Sequence, residues 1–260
     1  MALESTYRFT NLLGRGVLRG LGVRLNVAGA ENLPSSGPVV VAANHVSYLD
    51  FLMLGSAALN RNRHLRFLIR YDAWRPPIGW ALTNMRHIPV NRSAPAAAYS
   101  VARQALREGE AVALFPEAGI SYSFTVRALM RGAAALARET GAPLVPTALW
   151  GPQRIYSVGT PEPPPDLTRG RPVDVHFGQP LRIESGTDVT GATIELGSRL
   201  STMVEQLQLL DHHWPQSGEH APWYPAHLGG HAATIEEARA KDVVPRSAVP
   251  PQWGPGSQAT

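Results

Sequence analysis

The chain has 260 residues, 44% of them hydrophobic and 17% charged, a globular composition with enough length to bury a core. It contains no cysteine, which excludes a disulfide scaffold, a thiolate nucleophile and any Cys-ligated metal or cluster. The formal net charge of +4 is unevenly placed: residues 1–140 carry +8 and residues 141–260 carry −4. The first half is therefore the one that would meet an anion, such as phosphate, coenzyme A, an acidic headgroup or nucleic acid, although a solvated basic surface gives the same count. The longest apolar runs, such as Val39 to Ala43, fall far short of the roughly 20 residues that span a bilayer.

In chain order, residues 5–21 read as an amphipathic helix. Leu12, Leu13, Val17, Leu18 and Leu21 lie on one side, and Arg8, Arg15 and Arg19 share another. Arg15 and Arg19 also interrupt what would be the core of a signal peptide, so a cytosolic or surface-attached protein is expected. Such a helix either lies in a lipid headgroup layer or packs as an ordinary surface helix. Val23 to Val27 alternates as a strand, and Val39 to Ala43 reads as a central buried strand. Residues 48–59 form a buried helix, Leu65 to Ile69 a strand, 77–85 a Pro-started helix and Ile88 to Val90 a short strand. Ser93 and Pro95 open a helix that runs to Arg107 and stops at Gly109. Ala111 to Phe115 is a strand, Val126 to Glu139 a helix, Leu144 to Leu149 and Val173 to Phe177 strands, and 191–209 a helix.

Strands spaced by helices predict an α/β fold with a mostly parallel central sheet flanked by helices. Ligands of such sheets sit at the carboxyl ends of strands, which directs attention to the loops after Ala43, Val90 and Phe115. Residues 211–260, rich in Pro, Gly and His and with one helical stretch at Ile235 to Lys241, read as an extended arm wrapping the domain. His212, His213, His220, His227 and His231 match no trusted metal-ligand spacing and are expected at the surface.

The loop after the Val39 strand reads Asn44-His45-Val46-Ser47-Tyr48-Leu49-Asp50. Five residues of helix rotate a side chain by about 500°, leaving such a pair about 140° apart. His45 and Asp50 therefore meet only if His45 precedes the first helical turn, where a strand-to-helix loop puts it. Asp50 then takes the proton of one imidazole nitrogen, fixes the tautomer and leaves the other nitrogen as a base. A histidine capping a helix beside an unrelated aspartate is the alternative for an isolated pair of this spacing. Ser47 is a candidate nucleophile, though a capping hydroxyl is its commoner role.

A second block, Phe115-Pro116-Glu117-Ala118-Gly119-Ile120-Ser121, also follows an apolar strand. Between the two lies Arg86-His87-Ile88-Pro89-Val90-Asn91-Arg92, and beyond them Ala142-Pro143-Leu144-Val145-Pro146. In this order and spacing the blocks resemble the glycerolipid acyltransferase family that includes bacterial lysophosphatidate (1-acylglycerol 3-phosphate) acyltransferases. Asn44-His45 with Asp50 matches that family's NHxxxxD block, and Phe115-Pro116-Glu117 the start of its FPEGTRS block. The resemblance spans residues 22–210 and divides the chain into an amphipathic membrane-facing helix (1–21), an acyltransferase domain (22–210) and the arm (211–260).

It implies transfer of a fatty acyl group from acyl-CoA or acyl carrier protein to a lipid hydroxyl, nominally 1-acylglycerol 3-phosphate, at the cytoplasmic face of the cell membrane. No cofactor, metal or nucleic acid is expected; the acyl thioester is a co-substrate. His45 and Asp50 would be catalytic, with Asn44, Arg92, Glu117, Gly119, Ser121, Arg127 and Arg131 toward the substrates. Two positions depart from the family. Ile120 stands where it has an arginine, and Leu129-Met130-Arg131-Gly132 where it has Phe-Lys-x-Gly. Arg92 and the pair Arg127 and Arg131, four apart and expected on one helix face, would replace those contacts. Otherwise the acceptor is not a phosphate ester but a glycolipid or amino-lipid, or the chain binds lipid or acyl-CoA without catalysis.

Overall fold

The computed structural model describes residues 14, 16, 18–76, 78–91 and 94–255. Most of the expected N-terminal helix, including Arg8 and Arg15, lies outside them. Gly14, Gly16 and 18–20 are helical, with Leu18 buried and Arg19 exposed.

Seven strands form one sheet. They are β1 (Arg24–Ala28), β2 (Val39–Ala43), β3 (Leu65–Arg70), β4 (Ile88–Val90), β5 (Ala111–Leu114), β6 (Leu144–Trp150) and β7 (Pro172–Phe177), in the order β1-β7-β6-β2-β5-β3-β4. Every neighbouring pair is parallel except β6 with β7. The continuous apolar runs of β2, β5 and β6 are buried along their whole length, as central strands covered on both faces must be. The edge strand β1 alternates exposed and half-buried residues instead.

Beyond the N-terminal helical stretch, the described residues hold helices α1 (Asp50–Ala58), α2 (Ile78–Asn84), α3 (Pro95–Arg107), α4 (Gly132–Thr140), α5 (Val189–Gln208) and α6 (Ile235–Lys241). The pleat of β2 sorts the core into two layers. Val39, Val41 and Ala43 face α1 through Met53, Leu54 and Ala57, together with Phe67 and Val175. Val40 and Ala42 face the other way, into a layer that holds Ala102 of α3, Leu136 of α4 and Leu196 and Leu200 of α5.

Two sequence expectations are corrected. The helix read over Val126 to Glu139 begins at Gly132. The backbone N–H groups before it are spent on tertiary partners: Arg127 N donates to the Glu117 carboxylate, Leu129 N to Val249 O and Met130 N to Pro116 O. Arg127 and Arg131 therefore do not share a helix face. His213 is not a surface residue but fully buried. Its Nε2 and that of His212 each lie 2.8 Å from Asp174 Oδ2 of β7, pinning the start of the arm to the sheet.

Farther along, the arm packs onto the α5 side of the sheet. Tyr224 OH donates to Gln208 O, and Trp253 is buried with Nε1 donating to Val126 O at 3.0 Å. The Trp253 ring lies so close to α5 that a Cβ on Gly197 would stand 2.5 Å from it. Alanine is the better helix former by about 1 kcal/mol, but here it would push against a rigid ring. Gly197→Ala should lower stability by about 1–3 kcal/mol, read from denaturant midpoints; a gain in stability would show that Trp253 is not seated on α5.

His87 precedes β4, is buried, and accepts the Phe67 N–H at Nδ1 (3.1 Å). Burial, helped by the nearby Arg66 guanidinium, pushes its pKa from 6.5 down to about 4. The unfolded chain therefore takes up this proton before the folded one does. The contribution of neutral His87 is complete above pH 6.5 and is lost as pH falls through about 4. Its full size is about 3 kcal/mol. The drop in unfolding free energy between pH 6.5 and 4 should be visibly shallower in His87→Gln; identical pH slopes in the two proteins would contradict this.

Candidate active site

β2 and β5 are parallel neighbours in the register Ala42 to Leu114. Their carboxyl ends consequently release two loops side by side, 44–49 and 115–119. His45 stands in the first, five residues ahead of Asp50, which opens α1. His45 Nδ1 is 2.9 Å from Asp50 Oδ2. The same oxygen accepts the backbone N–H of Val46 (2.7 Å) and of Ser47 (2.9 Å). An oxygen that collects two backbone donors is an acceptor toward His45 as well, so Nδ1 carries the hydrogen and Nε2 keeps its lone pair. Asp50 is fully buried, whereas the His45 side chain is 22% exposed. Among the described residues nothing hydrogen-bonds Nε2. The imidazole also stacks on Phe115 at 4.3 Å between centroids and 17° between planes, which fixes the ring from its flat side.

Glu117 ties the two loops together. Its Oε1 accepts the His45 backbone N–H at 2.8 Å and its Oε2 that of Arg127 at 3.1 Å. Burial raises its carboxyl to about 8, against the two N–H donors and the Arg127 guanidinium, which favour the charged form. Arg127 Nε and Nη2 donate to the Glu117 main-chain oxygen, Nη2 also reaches Val243 O, and Nη1 lies 3.4 Å from Asp242 Oδ1. Gly119 leaves room for this side chain: a Cβ there would meet Nη2 at 2.6 Å. Ser121 Oγ donates to Asp242 Oδ2 at 3.0 Å.

Of the residues expected at the site, His45, Asp50, Glu117, Gly119, Ser121 and Arg127 form one connected cluster. Both amide atoms of Asn44 are engaged by Leu149 of β6, donating to its carbonyl (3.0 Å) and accepting its N–H (2.7 Å). Asn44 thus holds the root of the loop rather than its rim. The Ser47 hydroxyl is buried, donates to Tyr156 O (2.6 Å) and accepts the Leu49 N–H, an arrangement of a structural hydroxyl and not of a nucleophile. Arg131 turns to Thr190 Oγ1 and Ser247 O. Arg92 lies outside the described residues.

Phe115 and Asp242 were missed in the sequence. Phe115 stood at the end of a strand and at the start of the FPEGTRS-like block but was given no role, and nothing local marks Asp242, 115 residues beyond Arg127, as its partner. Asp174, His212 and His213 bring metal-ligand atoms within 4.8 Å of one another, but both imidazole nitrogens converge on a single carboxylate oxygen, as in a hydrogen-bonded knot.

The sequence profile of the Acyltransferase family matches residues 24–150. The chain is 35% identical over 137 residues to a 1-acyl-sn-glycerol-3-phosphate acyltransferase of Bacillus subtilis, covering 52% of this chain and 65% of that one. It is 32% identical over 142 residues to the chloroplastic 1-acyl-sn-glycerol-3-phosphate acyltransferase LPAT1 of Arabidopsis thaliana, covering 53% of this chain and 39% of the plant protein. The chain thus spans about two fifths of the plant relative's length. The crystal structure of the 1-acyl-sn-glycerophosphate acyltransferase PlsC from Thermotoga maritima superposes with a TM-score of 0.65 over 82% of this chain and 81% of that one. At 21% identity that likeness concerns the fold. The match to that family's profile runs from β1 to the end of β6 and takes in His45, Asp50 and Glu117.

Proposed function

We propose that the protein is an O-acyltransferase in which His45, oriented by Asp50, is the general base. The observation that carries this reading is the Asp50-held imidazole with its free Nε2 at the adjoining ends of β2 and β5. The acceptor is a lipid hydroxyl, nominally that of 1-acylglycerol 3-phosphate, and the donor an acyl thioester of coenzyme A or acyl carrier protein. Nε2 takes the hydroxyl proton as the acceptor oxygen bonds to the thioester carbonyl carbon. The carbon–sulfur bond then breaks, and the proton passes from His45 to the departing thiolate. No acyl-enzyme is needed, in keeping with a chain that lacks cysteine and buries the Ser47 hydroxyl. Such a protein would work peripherally at the cytoplasmic face of the cell membrane. Among the described residues no helix is long and apolar enough to cross a bilayer.

A second reading concerns the acceptor. Ile120 is buried and apolar, the Arg127 guanidinium is occupied by Glu117, Asp242 and Val243, and Arg131 points to Thr190 and Ser247. Each of the arginines expected to receive a phosphate ester, among the described residues, already has partners. This favours an acceptor whose head is not a phosphate monoester, such as a glycolipid or amino-lipid.

Two measurements check these readings. In a transfer assay with labelled acyl-CoA, His45→Ala should lose about 10²–10⁴-fold in rate. Asp50→Asn should lose much of the rate while the protein stays folded by circular dichroism; wild-type turnover by His45→Ala would sink the mechanism. With 1-acylglycerol 3-phosphate and an uncharged monoacyl glycolipid offered side by side, the second reading expects the higher kcat/KM on the uncharged acceptor. Preference for the phosphate ester, abolished by Arg127→Gln, would return the nominal acceptor.

A further inference from the structure

Among the described residues, twelve large apolar side chains are exposed. Seven of them lie on segments that leave β2 and β3 or adjoin the contact to the loop after β5. Tyr48 and Phe51 follow β2, Tyr71, Ile78 and Trp80 follow β3, and Val243 and Val244 border the loop after β5 through the Val243 contact to Arg127. Three of them lie on the excursion between β3 and β4, where Tyr71 is 66%, Ile78 61% and Trp80 67% accessible.

This exposure is built in. Trp74 Nε1 donates to Thr83 Oγ1, the Thr83 hydroxyl donates to Gly79 O, and Gly79 N donates to Arg75 O. Gly79 lies so close to Trp74 that a Cβ would stand 2.8 Å from its carbonyl carbon. With Gly79 and Leu82 turned inward, the first turn of α2 holds Ile78 and Trp80 outward on a braced platform.

Most of the charges around it are paired, and among the described residues Arg75 is the cation of the segment with no ion pair. Arg70, Arg75 and Arg86 face one acid in the segment, Asp72, which pairs with Arg70. Arg86 pairs with Glu108 and Glu110 at its far end, and Arg75, three residues before Ile78, is exposed.

We propose that the platform of Tyr71, Ile78 and Trp80 docks on a lipid bilayer bearing anionic headgroups, so that the mouth of the site faces the membrane surface. Indole and phenol rings favour the headgroup level, where the ring is half in hydrocarbon and its polar atom stays wet. An isoleucine between them gains from insertion, and Arg75 meets lipid phosphate. The face is distinct from residues 1–21, in which the sequence places a basic amphipathic helix. The proposal rests on the reading of a lipid acceptor, because only such a substrate gives the site a reason to open toward a membrane.

Flotation of the full chain with vesicles of phosphatidylcholine, alone or with phosphatidylglycerol, tests it. Wild type should bind the anionic vesicles more tightly than the neutral ones. The double variant Ile78→Asp and Trp80→Asp should bind roughly tenfold or more weakly, while transfer to a short-chain acceptor below its critical micelle concentration stays at the wild-type rate. Residues 1–21 are present in both proteins, so the difference reports the platform. Wild-type vesicle binding by the double variant would overturn the proposal. So would failure of wild type to bind either vesicle, or a change of oligomeric state in lipid-free buffer on substitution, which would make the platform a contact between copies of the chain. Vesicle binding lost on substitution, in a protein that transfers acyl groups to no acceptor, would instead leave the docking face standing and remove the catalytic reading.

Discussion

One carboxylate oxygen, Asp50 Oδ2, fixes the shape of the candidate active site. It is buried and accepts from His45 Nδ1, Val46 N and Ser47 N at once. A buried carboxylate without donors is costly, so the loop is held where these three donors converge. The oxygen sits at the amino end of α1, where the helix dipole favours negative charge. The loop in turn is anchored at its root by Asn44 on Leu149 and at its crest by Ser47 on Tyr156. Four polar residues at the end of β2 thus act as one clamp, and its exposed product is a single imidazole nitrogen.

The second loop joins this clamp through Glu117, and the arm joins the second loop through Asp242. Glu117 holds the backbone of His45 with one oxygen and that of Arg127 with the other. Arg127 and Asp242 are a buried pair, with side chains 7% and 5% exposed. Desolvation makes such a pair a weak source of stability, but it places each partner and neutralises the guanidinium. The arm therefore belongs to the site, and the charge that a bound acceptor would feel is set partly by a residue more than a hundred positions away. Among the described residues little positive charge next to Glu117 is left unpaired, which supports the proposed reading of a lipid recognised through its hydroxyl and its chain.

Much of the fold was legible in the sequence because burial writes itself as pattern. The runs at Val39 to Ala43 and Leu144 to Leu149 are unbroken by polar groups, since both faces of those strands are covered. Pro95 and Gly109 bracket α3 through fixed backbone geometry. The spacing of His45 and Asp50 was readable because a short loop admits few ways for the two to meet. Long-range pairing was not readable. The N–H groups of residues 127, 129 and 130 look helical locally, but Glu117, Val249 and Pro116 capture them. His213 looks like one of five polar arm residues until Asp174 of β7 draws it inward. Asn44, Gly119 and Ser121 were marked by the motif, but their partners Leu149, Arg127 and Asp242 could be assigned only in three dimensions.

The proposed role of His45 as a base depends on Asp50 setting its tautomer. Long-range nitrogen–proton correlation spectra of the protein labelled with ¹⁵N-histidine, with His45→Gln used to assign the signal, report that tautomer directly. The wild type should show the His45 tautomer with its hydrogen on Nδ1, and Asp50→Asn should lose that single form. A wild-type His45 protonated on Nε2, or a tautomer unaffected by Asp50→Asn, would contradict it.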